Sequence, residues 1–191
     1  MPFSPHTTAS GYILPSIHSA PPFYTQQSTA QLQAPFTDNW IKIILGYARH
    51  RRLFTLRIED AEVPGGDWDE VLRNPRINRR VQPQYLAYIL SELVKRKQAV
   101  YDPPRQTRSV ILYWRLPEEW AEVLHEWATN SGQLNTILTY QEITEPPVPS
   151  PLSNVPLQVL RQAIGILSKN GRAQTISVAD GEGVRFFTGQ I

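Results

Sequence analysis

The side chains in this sequence best suited to move a proton or hold a metal near neutral pH are its four histidines, His6, His18, His50 and His125. None has the close paired spacing that metal ligands need. Glu118, Glu119, Glu122 and Glu126 resemble the paired carboxylates of an acid–base site. At three- and four-residue spacing, however, they lie along one side of a helix and read as a solvated face. The run Asp180-Gly181-Glu182-Gly183 lacks the lysine and following helix of a phosphate loop, and a turn between strands explains both glycines. With no cysteine, disulfides, thiolate nucleophiles and thiolate metal sites are excluded. No reaction emerges: the sequence predicts a protein that is not an enzyme, with no catalytic residue, metal or cofactor.

What remains is binding chemistry. Arg73, Arg76, Arg79 and Arg80 form a basic patch in a loop or short helix, where no helix terminus explains them; phosphates, an acidic partner or an anionic membrane would suit it. Lys95, Arg96 and Lys97 instead read as compensation of a helix dipole at its carbonyl end. The sharpest feature is Pro21-Pro22-Phe23-Tyr24. A proline pair fixes extended backbone at little entropic cost, and two aromatics after it can fill pockets on a partner. They can also fold back on their own chain, and the same four residues match the Pro-Pro-x-Tyr pattern read by WW domains.

The elements that must position these groups follow from punctuation and periodicity. Residues 1–36 contain six prolines and no Asp, Glu, Lys or Arg, which predicts an extended proline-rich arm without a core of its own. Asp38 is then expected to cap a helix whose apolar face is Trp40, Ile43, Ile44, Tyr47 and Ala48. A strand over 53–58, a loop with a short helical piece near 69–72, a helix opened by Pro83 and a hairpin over 99–101 and 110–114 follow. Eighty residues on, Trp120, Val123, Leu124, Trp127 and Ala128 repeat the five-position face in a helix begun by Pro117. A strand over 136–140, a proline loop over 146–151, a helix over 155–170 and a hairpin over 173–178 and 184–187, turning at 179–183, complete the second copy. Helix, short strand, two helices and a two-stranded wing is the order of a winged helix. The expected fold is therefore α/β in the mixed α+β sense: an arm over 1–36, a winged-helix domain over 37–115 and a second over 116–191.

Composition agrees. Among 191 residues there are 17 prolines and a net charge of +2, which hides 14 basic and 9 acidic residues through Leu112 against 5 and 8 beyond it. No apolar run approaches the ~18 residues of a membrane span and no signal peptide is visible, so a soluble intracellular protein is expected. Winged helices often bind DNA through their third helix. Its N-terminal residues here, Gln82, Pro83, Gln84 and Tyr85, then Leu157, Gln158 and Arg161 in the second copy, are poor in charge, so no sequence-specific nucleic acid is expected.

Three runs carry a resemblance: Pro21-Pro22-Phe23-Tyr24-Thr25-Gln26 before the first helix; Trp114-Arg115-Leu116-Pro117-Glu118-Glu119-Trp120 between the modules; and Ser177-Val178-Ala179-Asp180-Gly181-Glu182-Gly183-Val184-Arg185-Phe186-Phe187 at the end. Trp127 and Ser131-Gly132-Gln133 add to it. Together they resemble the small winged-helix subunit of the ESCRT-II endosomal sorting complex, the vacuolar protein sorting 25 family. The resemblance implies two copies of this chain joined to one each of two larger subunits, with Pro21, Pro22, Phe23 and Tyr24 as the anchor. It further implies a second module that engages and activates the first ESCRT-III subunit in multivesicular body sorting of ubiquitinated cargo. The location implied is the cytoplasm and, peripherally through the complex, the endosome membrane. Tyr12-Ile13-Leu14-Pro15 is a poor match to the family's upstream motif, and the loop over 146–151 is proline-rich where some relatives are acidic. On this reading, Phe23→Ala with Tyr24→Ala abolishes assembly and leaves a folded monomer. A DNA-binding or transcription-associated protein, and a WW-domain-binding adaptor, are the alternative readings.

Overall fold

Thr29, not Asp38, begins the first long helix: its hydroxyl accepts the Leu32 amide at 3.4 Å, and α1 runs Ala30–Arg51. In this computed structural model, which describes residues 4–179 and 181–189, the helix passes through Pro35. Asp38 lies inside it and pairs with Arg96 at 2.7 Å. The expected arm therefore ends seven residues early at its helical side: Pro35, the sixth residue of α1, forgoes its own amide bond and the helix continues through it.

The rest of that stretch is not an extended arm either. A two-residue hairpin, β1 (His6–Thr7) and β2 (Ile13–Leu14), is followed by 3-10 turns over Ser16–Ser19 and Pro21–Tyr24. Leu14, His18, Ala20, Phe23 and Tyr24 are buried. Uncharged and rich in proline, the segment has no periodic face, yet it belongs to the core of the first unit, Met1–Trp114. Its partner is the stripe of α1 at Phe36, Trp40, Ile43, Tyr47 and His50. Gly46 on the same side admits Tyr12, since a Cβ there would meet the Tyr12 hydroxyl at 2.5 Å.

The remainder of the unit follows the expected order: β3 (Thr55–Arg57), α2 (Asp69–Leu72), a small hairpin β4 (Arg73–Asn74) and β5 (Arg79–Arg80), α3 (Pro83–Lys95), β6 (Ala99–Tyr101) and β7 (Ser109–Leu112). The sheet order is β3-β7-β6, all antiparallel, and Leu86, Ile89, Leu90 and Leu93 of α3 are buried.

The second unit, Arg115–Ile191, repeats this plan: α4 (Pro117–Asn130), β8 (Ile137–Thr139), α5 (Tyr140–Thr144), α6 (Leu157–Lys169), β9 (Ala173–Val178) and β10 (Gly181–Phe186). Its sheet order, β8-β10-β9, is that of the first unit: the strand after the first helix pairs with the last strand in both. These are two tandem winged-helix units. Gly181, Glu182 and Gly183 belong to β10 rather than to a turn, because each pairs across the wing with β9; Asp180, expected in that turn, lies outside the described residues. No described helix is long and apolar enough to cross a membrane.

Candidate functional site

The motif Pro21-Pro22-Phe23-Tyr24 forms one turn of 3-10 helix with a proline at its start. The Phe23 ring stacks parallel on the Trp40 indole, centroids 4.3 Å apart and planes 4° off, and meets Phe36 edge-on at 5.6 Å. Trp40 Nε1 donates to the Phe23 carbonyl at 2.9 Å, so the same indole holds ring and backbone. Tyr24 donates its hydroxyl to the His18 carbonyl at 2.8 Å, and burial pushes its phenol far above the usual value. Phe23 and Tyr24 are thus internal anchors, whereas Pro21 and Pro22 are exposed. Folding back, one of the two outcomes open to these aromatics, is the one adopted.

His18 secures the segment from the other side. Its Nε2 donates to the Val71 carbonyl of α2 at 2.7 Å, and Asn74 Nδ2 donates to the His18 carbonyl at 2.9 Å. Burial lowers the His18 pKa below its ordinary 6.5, so the folded chain favours neutral imidazole. The unfolded chain binds the proton more readily, hence stability is lost as pH falls from about 6.5 through the lowered folded value. Thermal melts at pH 7.5 and 5.5 should show this loss, and His18→Gln should flatten it.

Glu70 completes the latch. It accepts Ser10 Oγ at 2.5 Å, the Ser10 amide at 3.1 Å and the Tyr47 hydroxyl at 3.0 Å. Burial opposes its charge, but these bonds hold its carboxyl below the usual range, while Tyr47 is pushed up to about 12 by burial and by Glu70. Ser10 and Glu70 carry no signal in the sequence, and Tyr12 enters it only within a run that matches the family's upstream motif poorly; the signal available was Gly46, a helix-interior glycine that marks a close approach.

The four arginines of the basic patch are only partly brought together. The loop expected for them is the β4–β5 hairpin, with Arg73 opposite Arg80. Arg73, Arg79 and Arg80 line a cleft of about 430 Å³ whose walls include Tyr24, Thr25 and Gln82; Arg76 instead lines a smaller one with Arg73. Arg73 is held by Asp69 at 2.7 Å, whereas Arg79 donates to the Asn78 carbonyl. The cleft therefore keeps a positive rim directly beside the proline turn.

Of the other histidines, His50 bonds to the Ser10 carbonyl and His125 to that of Phe187, while His6 lies exposed in β1. Among the described residues no cluster of His, Cys, Asp or Glu could hold a metal. Glu119 caps the Leu116 amide and Glu122 pairs with Arg172, so neither stands free as a catalytic carboxylate. At the start of the third helix of the first unit Tyr85 is buried against Gln33 while Gln82 and Gln84 are exposed, and the buried Tyr24 is withdrawn from a WW-domain pocket.

A family profile described as ESCRT-II complex subunit matches residues 17–148, more than half of the chain. The vacuolar protein-sorting-associated protein 25 of Drosophila melanogaster is 32% identical over 173 residues, covering 89% of this chain and 95% of that protein. Its Danio rerio counterpart is 27% identical over 172 residues with the same coverage. Among solved structures, a crystal structure of subunit VPS25 of the endosomal trafficking complex ESCRT-II superposes with a TM-score of 0.73 at 22% identity, covering 90% of this chain and 98% of that one. The crystal structure of the endosomal complex ESCRT-II (VPS22/VPS25/VPS36) gives a TM-score of 0.71 at 22% identity. A profile match that takes in the Pro-Pro-Phe-Tyr turn, the first winged helix and the start of the second, together with a relative 32% identical over nearly its whole length, shows the family: the chain belongs to the ESCRT-II complex subunits, beside the vacuolar protein-sorting-associated protein 25 relatives.

Proposed function

We propose that this chain is a non-enzymatic assembly subunit that docks two larger ESCRT-II subunits through its N-terminal turn, two copies per complex. Its second winged helix then recruits and activates the first ESCRT-III subunit in sorting ubiquitinated cargo at the multivesicular body. The chain works in the cytoplasm and reaches the endosome membrane only through the complex. The observation that carries this reading is the geometry of residues 21–24: two buried aromatics fix the turn, so that Pro21 and Pro22 project as a rigid apolar ridge. A preformed ridge loses little conformational entropy on docking. The Arg79–Arg80 rim beside it gives the contact a positive flank suited to an acidic partner surface.

The test separates docking from folding. Pro21→Asp with Pro22→Asp leaves every buried side chain in place, so the loss of stability should be about 1–2 kcal/mol, the contribution of two prolines that restrict the unfolded chain. Co-purification with the larger subunits should be lost. Stoichiometric assembly of a folded double variant would remove the ridge from the interface.

A further inference from the structure

Residues 145–156, between α5 and α6, form a loop without helix or strand. Its base is pinned: Ile143, Leu152 and Val155 are buried, and the Asn154 amide donates to the Thr144 carbonyl at 2.8 Å. Between the pins the chain is open to solvent. Pro147, Val148, Pro149 and Pro151 are exposed, Val148 to 75%, and Ser150 is half-buried. Prolines at 146, 147, 149 and 151 carry no amide hydrogen, so the stretch can shift toward another shape with few backbone bonds to break. Val148 and Ser150 each precede a proline and are thereby biased to extended backbone. Ser150 Oγ accepts the Leu152 amide at 3.1 Å, and among the described residues nothing accepts its own proton.

We infer that Ser150 is a phosphorylation site for a proline-directed serine kinase. A kinase cleft takes its substrate extended, and this class accepts at the next position a residue without an amide hydrogen, here Pro151. The surroundings exclude the other broad classes. No lysine or arginine stands between Arg115 and Arg161 for a kinase that reads basic residues, and no Asp or Glu follows Ser150 before Asp180 for one that reads acids downstream. Transfer breaks the bond from the γ-phosphorus of ATP to the oxygen bridging to the β-phosphate and forms the ester to Ser150 Oγ. ADP leaves, and the hydroxyl proton passes to the base of the kinase. The product adds about −1.5 to −2 of charge. Residues 116–160 contain six glutamates and no lysine or arginine, and Arg161 is engaged with Glu182 at 3.0 Å. The phosphate therefore has no cation in its own segment to draw it inward, and it is displayed outward rather than ordering the loop.

The test uses the full chain, magnesium ATP and three kinases: a mitogen-activated kinase, a cyclin-dependent kinase and, as the control that reads basic residues, the cAMP-dependent kinase. The first two should phosphorylate Ser150, located by fragmentation mass spectrometry, and the control should not. Ser150→Ala should abolish that product, and Pro151→Ala, which keeps the hydroxyl, should slow it by about tenfold or more. Ser4→Ala removes the other Ser-Pro pair of the chain and should leave the Ser150 rate within about twofold. A synthetic peptide of residues 145–156 measures what the fold allows: the folded chain should react within about tenfold of its rate. The phosphorylated chain should melt within about 2 °C of the parent. Modification of Ser4 alone, indifference to Pro151→Ala, equal modification of Ser150 by the control kinase, or a folded chain more than about tenfold slower than the peptide overturns the inference. A rise in melting temperature beyond about 5 °C would show the phosphate locked onto an internal cation and overturn its display.

Discussion

Phe23→Ala is expected to cost the first unit about 3–5 kcal/mol, the range for removing a fully buried aromatic ring. Phe23 has no exposed surface, and its ring is the parallel cover of Trp40, so truncation leaves a void against the largest side chain of the core. Adding Tyr24→Ala removes the hydroxyl bond to His18 and a second edge-on contact to Trp40 at 5.6 Å; because the two residues share that partner, their costs will not simply add. A fall in melting temperature on the order of 10–20 °C is the measurable result. Co-purification would fail too, but through unfolding. The folded monomer expected of this double variant on sequence grounds is therefore not the expected outcome, and docking must be probed at Pro21 and Pro22.

The second large effect is expected at Phe186. It is fully buried on β10, its carbonyl accepts the Asn135 amide at 2.8 Å, and it forms a parallel bridge with Leu134, so ring and backbone tie the wing to the loop after α4. Phe186→Ala should cost the second unit about 3–5 kcal/mol. Calorimetry should show the lower stability confined to one of two transitions. Under the proposed function, recruitment of the ESCRT-III subunit is lost while co-purification with the larger subunits persists. Loss of both activities together would contradict a division of labour between the units.

The regular parts of this fold are legible because their signals are local. Pro83, the spacing of Leu86, Ile89, Leu90 and Leu93 and a basic end define α3, and the ends of β6, β9 and α2 are read correctly from turn residues. The offset from Trp40 to Trp120 announces the duplication. The N-terminal segment is illegible for a physical reason. Leu14, His18, Phe23 and Tyr24 follow no period, since they pack one by one onto a face that α1 supplies from residues 36 to 50. Their burial depends on long-range complementarity, and composition alone gives such a chain the look of a free arm. The motif marks the candidate site but does not say which of its residues face out: the prolines present outward and the aromatics inward.

The two equivalent tryptophans carry a lesson about which pieces of this chain can live alone. Trp120 brings its own lid, Arg115, five residues upstream, so a fragment cut at the unit boundary keeps that indole shielded. Trp40 borrows its lid from seventeen residues upstream, across the Thr29 cap. A fragment trimmed at residue 37 would begin inside a helix, without its cap and with a bare indole face. The second winged helix is a portable module; the first is one only with its preamble attached.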